Sequence, residues 1–307
     1  MNSTQTKTAK FLTILSQSTT HALIIQTHAQ IIINNLTTSL HLTTKLTQKL
    51  CSHGSLHHAR LLVSTTPNPD IFLFNALIEG LFKNQMGWDS ISVYGQLKKD
   101  GVLRPNGHSY GFLIGAAGLI SDDWRVGRMV HGNVFVDGFD GNFNIGASIV
   151  NMYVEFGEIG DAYKVFDEMS ERDVVVWNTM VSGFVKSGLF GHAMRVFWGM
   201  VGCGVGIDSS SLASVIPAAA ELGWLDSGMG IQCLALKSGL HDHIQVLTGL
   251  VSLYAKCGDL DGARSLFGRI GKPDLICYNA MISGFTCNDE TDCAVRLFNE
   301  LLGYGEK

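Results

Sequence analysis

The 307-residue chain is 46% apolar and 16% charged, with 35 glycines and five prolines, a balance that excludes a disordered, collagen-like or Pro-rich polymer. A formal net charge of −5 argues against a globally basic nucleic-acid binder, and no stretch offers the 18 or more apolar residues of a membrane span, so no membrane partner is expected. The seven cysteines include no C-x-x-C pair, which argues against a disulfide framework or a zinc ribbon and favours a reducing compartment.

The chain begins with a charge asymmetry. Residues 1–69 contain no Asp or Glu and carry Lys7, Lys10, Lys45, Lys49 and Arg60, while the remainder holds 17 basic and 27 acidic residues. Residues 1–20 are rich in Ser and Thr and lack acids, the bias of an organellar transit peptide, although such peptides usually carry Arg and this one has none. The bland reading is a solvated first turn.

Beyond residue 20 one helical pattern recurs in chain order: small-x-x-aliphatic-aromatic-x-x-aliphatic. It opens weakly at Ala59 and Ser90, then sharply at Ala162, Ala193, Ala263 and Ala294, with gaps of 31, 72, 31, 70 and 31 residues. The i, i+3, i+4, i+7 spacing is one face of an α-helix. A second series interleaves with it: Phe74-Asn75, Trp177-Asn178 and Tyr278-Asn279, whose asparagines stand 103 and 101 residues apart. Gly157, Gly188 and Gly258 fall between the two helical patterns, where a helix C-cap belongs. Pro69, Pro105 and Pro273 fall just before Asp70, Asn106 and Asp274, where one repeat ends and the next begins. A single hairpin cannot bury its apolar stripe, whereas stacked neighbours can, so the expected fold is all-α, an α-solenoid of helical hairpins. Helix packing also accounts for the glycines without a phosphate loop, since no G-x-x-x-x-G-K-[ST] occurs.

The segments Asp173-Val-Val-Val-Trp177-Asn178-Thr-Met-Val-Ser-Gly-Phe and Lys272-Pro-Asp274-Leu-Ile-Cys-Tyr278-Asn279-Ala-Met-Ile-Ser-Gly-Phe resemble pentatricopeptide repeats. The alternation of 36, 36, 31 and then 35, 35, 31 residues is similar to the plant P-L-S triplet subclass, as are Tyr254-Ala-Lys-Cys-Gly258 and Leu236-Lys-Ser-Gly-Leu240. The resemblance covers about residues 21–307 and implies a right-handed superhelix. Its repeats run as a partial one at 21–39, then 40–70, 71–106, 107–142, 143–173, 174–208, 209–243, 244–274 and a partial one at 275–307. On this reading the chain stops inside a repeat, before any E or DYW C-terminal domain.

Pentatricopeptide arrays read single-stranded RNA one base per repeat. The resemblance assigns that reading to the fifth and last residues of a repeat. Here these are Thr44 with Asp70, Asn75 with Asn106, Ala147 with Asp173, Asn178 with Asp208, Thr248 with Asp274, and Asn279 without a partner. It implies U for Asn178/Asp208, G for Thr248/Asp274 and Thr44/Asp70, and C or U for Asn75/Asn106. Gly111 and Ala213 occupy the fifth position of the other repeats and imply spacing rather than reading. Apolar second residues, Phe72, Val175 and Ile276, offer surfaces for base stacking. The competing explanation of the aspartates is local: each stands before a helical segment, where it would serve as an N-cap.

The deaminase chemistry of longer triplet-type proteins needs H-x-E and C-x-x-C, and neither is present in this chain. No cofactor and no catalytic or metal site is expected, and His28, His131 and the matched Cys233 are read as packing residues. Asp122-Asp123 and Asp289-Glu290 are read as solvated turns. The expected activity is sequence-specific binding of single-stranded organellar RNA, selecting a site for C-to-U editing or another processing step. The deaminase would come from editing-complex proteins, and mitochondrion is favoured over chloroplast. The alternative is a helical scaffold that holds protein partners in the same groove, which apolar pockets along the fifth and last residues would favour.

Overall fold

A computed structural model describes residues 3–120 and 122–304. Eighteen α-helices and no strand occur among the described residues. They divide between a half that ends at Phe156 and a half that begins at Gly157.

The first half holds α1 (Ser3–Gln17), α2 (His21–Ile33), α3 (Leu40–Ser52), α4 (Leu56–Thr65), α5 (Ile71–Lys83), α6 (Gly87–Asp100), α7 (Gly107–Gly118), α8 (Trp124–Val136) and α9 (Phe143–Glu155). The second half holds α10 (Ile159–Glu168), α11 (Val174–Lys186), α12 (Phe190–Gly202), α13 (Ser209–Leu222), α14 (Leu225–Lys237), α15 (Ile244–Lys256), α16 (Leu260–Gly268), α17 (Leu275–Cys287) and α18 (Thr291–Tyr304). Within each half, helices pair as hairpins and successive hairpins stack. The first helices pack on one another, α1 on α3, α3 on α5, α5 on α7 and α7 on α9, and likewise α11 on α13, α13 on α15 and α15 on α17. This is a helical repeat solenoid. The acid-free N-terminal segment takes part in it, because α1 packs on α2 and α3 with Leu15 fully buried.

Local chemistry sets the helix boundaries. Asp70, Asp173, Asp208 and Asp274 hold extended backbone and accept the amide hydrogens of Leu73, Val176, Ser211 and Cys277 at 2.9, 2.9, 2.7 and 2.9 Å. Each N-cap satisfies a donor that the first helical turn leaves without a partner. At the other end, Gly157, Gly188 and Gly258 adopt φ of +77°, +70° and +85°. That is the left-handed region where a side chain is strained, and it ends one helix so that the next can fold back.

Packing explains the repeated small residue. Ala59, Ser90, Ala162, Ala193 and Ala263 are fully buried and Ala294 nearly so; these positions leave no room for a longer side chain. Contact is close between α3 and α5, where a Cβ on Gly80 would fall 2.3 Å from Cys51 Sγ, and between α15 and α17, where a Cβ on Gly284 would fall 2.3 Å from that of Ala255. The 31-residue repeats have short second helices. α4, α10 and α16 have 10, 10 and 9 residues, against 14, 13 and 14 in α6, α12 and α18.

Candidate nucleic-acid interface

The fifth residues lie in the second turn of each first helix and the last residues precede the next first helix, which within a half sets Asn75 beside Asn106 and Asn178 beside Asp208. Two of the expected pairs are joined directly. Asn75 Nδ2 donates to Asn106 Oδ1 at 3.1 Å, and Asn178 Nδ2 donates to Asp208 Oδ1 at 3.3 Å. Thr248 and Asp274 are joined through Cys277: Thr248 Oγ1 lies 2.8 Å from Cys277 Sγ, whose backbone amide donates to Asp274. Thr248 also donates to the carbonyl oxygen of Ile244 at 2.8 Å. Thr44 is half-buried, and no direct hydrogen bond links it to Asp70 among the described residues. Ala147 lies on α9 of the first half with no polar group to offer, while Asp173 caps α11 of the second. Asn279 is exposed on α17.

The aspartates therefore do cap helices, each through Oδ1. Hydrogen bonding favours the ionised form at two of them, Asp208 and Asp274. Burial works to raise Asp208, but hydrogen bonds from the Ser211 hydroxyl and amide and from Asn178 outweigh it and hold the carboxyl below the ordinary range. The amide and side chain of Cys277 lower Asp274 in the same way.

The second residues point into solvent. Phe72, Val175 and Ile276 are 64, 63 and 68% exposed, and the corresponding His41, His108, Asn144, Ser210 and Gln245 are exposed as well.

Two residues that sequence reasoning missed complete the pairs. Ser109 and Ser211, the third residues of the following repeats, are buried against Asn106 and Asp208. Ser109 Oγ approaches Asn75 Oδ1 at 2.7 Å and Asn106 Oδ1 at 3.1 Å, and Ser211 Oγ approaches Asp208 Oδ1 at 2.8 Å. The signal was legible: Asn106-x-x-Ser109 and Asp208-x-x-Ser211 are capping boxes 102 residues apart.

One expected match moves. His131 Nδ1 lies 3.0 Å from Tyr153 Oη, and the residue hydrogen-bonded to the equivalent Tyr254 is Gln232. Cys233 is exposed instead, because α14 follows α8 by 101 residues rather than 102. Among the described residues no group of three or more His, Cys, Asp or Glu is placed to hold a metal ion, and no helix is long and apolar enough to cross a membrane. Asp123 caps α8, and Glu290 faces Arg264 at 3.5 Å. Cavities of about 470, 420 and 610 Å³ lie between successive second helices. They are lined by residues such as Tyr163 and Arg195, Arg264 and Arg296, and Arg60 and Gln96, and by none of the fifth or last residues.

A model of the PPR repeat matches residues 72–102, 148–174, 175–205 and 246–272, and a second PPR repeat model matches residues 271–302. A pentatricopeptide repeat-containing protein of Arabidopsis thaliana is 30% identical over 329 residues, an alignment that covers 97% of this chain and 68% of the relative. The chain belongs to the pentatricopeptide repeat family. Another such protein of Arabidopsis thaliana is 42% identical over 299 residues, covering 97% of the chain and 38% of that relative. This chain thus spans under two fifths of the length of that relative and of two others. The pentatricopeptide repeat protein PPR10, solved in complex with an 18-nucleotide psaJ RNA element, superposes with a TM-score of 0.73 at 17% identity, over 97% of this chain and 45% of PPR10. PPR10 from maize, solved as the protein named alone, gives 0.55 at 16% identity, over 95% and 48%. These likenesses bear on the fold.

Proposed function

We propose that this pentatricopeptide chain binds single-stranded RNA sequence-specifically, one nucleotide per reading repeat. The reading pairs within the two halves are Thr44/Asp70, Asn75/Asn106, Asn178/Asp208 and Thr248/Asp274, with Asn279 contributing its amide. The observation that carries the proposal is the direct bond between fifth and last residue, made at Asn75–Asn106 and again at Asn178–Asp208. An amide held by an acidic or amide neighbour keeps one N–H to offer to a base edge. The exposed Phe72, Val175 and Ile276 supply stacking surfaces, and the RNA complex of PPR10 supports this use of the fold.

The finer reading is a P-L-S triplet array whose repeats begin at residues 40, 71, 107, 143, 174, 209, 244 and 275. It selects a site for C-to-U editing or other processing, and editing-complex proteins supply the deaminase. The compartment is an organelle, mitochondrion before chloroplast. The composition of residues 1–20 supports an organelle, and one Arabidopsis thaliana relative, 29% identical over 277 residues, is named as chloroplastic.

Binding to RNA randomised at single positions tests the reading. Asn178→Thr is expected to move one position from U toward G by roughly 5- to 150-fold, the 1–3 kcal/mol of a good base-edge contact, with thermal stability nearly unchanged. Equal loss of affinity at every position would overturn the proposal.

A further inference from the structure

Each 31-residue repeat has a second helix about one turn shorter than that of the repeat after it, and the missing turn leaves a notch. The three cavities stand at these junctions, at α4–α6 in the first half and at α10–α12 and α16–α18 in the second. Ser92, Arg195 and Arg296 line them from the same place, two residues after the small residue of the longer helix. Charge separates the notches. In the first half Arg60 is held in an ion pair with Asp89, and Ser92 adds no charge. In the second half Arg195 and Arg296 are exposed, and among the described residues neither has a carboxylate at ion-pair distance. Arg296 donates instead to Cys293 Sγ at 3.1 Å, and Arg264 reaches the same sulfur at 3.6 Å, while the thiol hydrogen points to Glu290 Oε2 at 3.0 Å. Sulfur is a weak acceptor, so a carboxylate would serve Arg296 better.

The floors are apolar. At α10–α12 ring contacts run unbroken from Trp177 through Phe166 and Tyr163 to Phe184 and His192, with centroids 4.8, 6.1, 5.7 and 5.3 Å apart. Arg172 stacks on Phe166 and Trp177 and donates to the carbonyl oxygens of Phe166 and Asp167 at 2.7 and 2.6 Å. Its charge is engaged at the C-terminus of α10, which leaves Arg195 as the guanidinium free for another molecule. Tyr163 is 41% exposed and opens the aromatic wall to solvent. At α16–α18 the floor is made by Phe267, Met281, Phe285 and Leu297.

We propose that the notches at α10–α12 and α16–α18 are docking sites for a partner protein, each taking a bulky apolar side chain on its floor and an adjacent carboxylate on Arg195 or Arg296. Charge complementarity sets that chemistry. Asp161, Asp167 and Glu168 flank the first notch, and Asp261, Glu290 and Glu300 the second. These acids repel a run of phosphates, whereas a single carboxylate can face one guanidinium alone. An apolar floor with one charged group at its rim is the build of an anchor pocket. The site lies apart from the fifth and last residues and stands independently of the RNA reading.

The test is a display library of random linear peptides panned against the full chain. Enriched peptides are expected to carry an acidic residue beside an aromatic or large aliphatic one. A synthetic copy is expected to bind the double variant Arg195→Glu/Arg296→Glu about tenfold more weakly than the natural chain, the scale of one charge-assisted contact. Replacing its acidic residue with lysine is expected to restore binding to that variant. The variant is expected to keep the natural melting temperature and the natural affinity for single-stranded RNA. The proposal is overturned if no peptide is enriched over the unselected library, or if enriched peptides bind the double variant as tightly as the natural chain. It is also overturned if the double variant loses RNA affinity and keeps peptide affinity, which would assign the two arginines to the RNA backbone.

Discussion

The same junction occurs once in each half, and the two versions differ in one side chain. In the first half Asn75, Asn106 and Ser109 form a neutral set, with Asn75 and Ser109 buried and the hydrogen bonds among the three closed. In the second half Asn178, Asp208 and Ser211 gather their donors on one carboxylate oxygen and leave an amide carbonyl alone. The first arrangement contributes stability. The second gives up part of that contribution and holds an unpartnered, covered polar atom.

The largest expected effect comes from the cap. Asn106→Ala removes the bond to the Ser109 amide and strands the buried amide of Asn75, for a loss of about 2–4 kcal/mol. Asp208→Ala removes a cap whose partner Asn178 is half-exposed and finds water, for about 1 kcal/mol. Urea denaturation of the two variants measures the gap, and equal losses would erase the contrast between the halves. Next comes the fifth residue itself. Asn75→Ala is expected to cost roughly 1–3 kcal/mol, whereas Asn178→Ala, which removes an already unsatisfied carbonyl, stays within about 0.5 kcal/mol of the natural chain.

The smallest effect is in acid. Asp208 has a folded pKa below its unfolded value, so its contribution is present above the ordinary carboxylate value of ~3.9 and is lost as pH falls through the lower, folded one. Asn106 has nothing to titrate. The stability difference between the natural chain and Asp208→Asn, a few tenths of a kcal/mol after solvent screening, therefore closes in that window. Asn106→Asp introduces the same acid limb into the first half. Parallel melting curves between pH 5 and about 2.5 follow both.

The all-helical fold was legible because its signal is periodic. The small residues at 59, 90, 162, 193, 263 and 294 had to be small wherever helices meet, and all six are buried. The helix caps were legible for a similar reason, since Asp70, Asp173, Asp208 and Asp274 each stand where an extended residue meets the first free amides. The interface was only half legible. Position in the repeat brought Asn75 to Asn106 and Asn178 to Asp208, but burial is a property of neighbours in space. Nothing in two identical asparagines announces that one is buried and the other half-exposed. Ser109 and Ser211 escaped because serine three residues after a cap reads as a helix start, and its second role depends on a side chain from the preceding repeat. The shift from Cys233 to Gln232 escaped because one residue is lost between α13 and α14, which alignment by the helix starts does not register.

Each half also carries a thiol that chemistry cannot reach while the helices stay together. Cys51, against Gly80 in the first half, is 2% exposed, and burial, helped by Glu79, pushes its pKa up to about 11. Cys277 in the second half is fully buried, and burial raises it too. Cys203, Cys233 and Cys287 are exposed and take an alkylating reagent at once. The slow remainder of a labelling time course then clocks how often each half opens, with one built-in reporter apiece and no engineered probe.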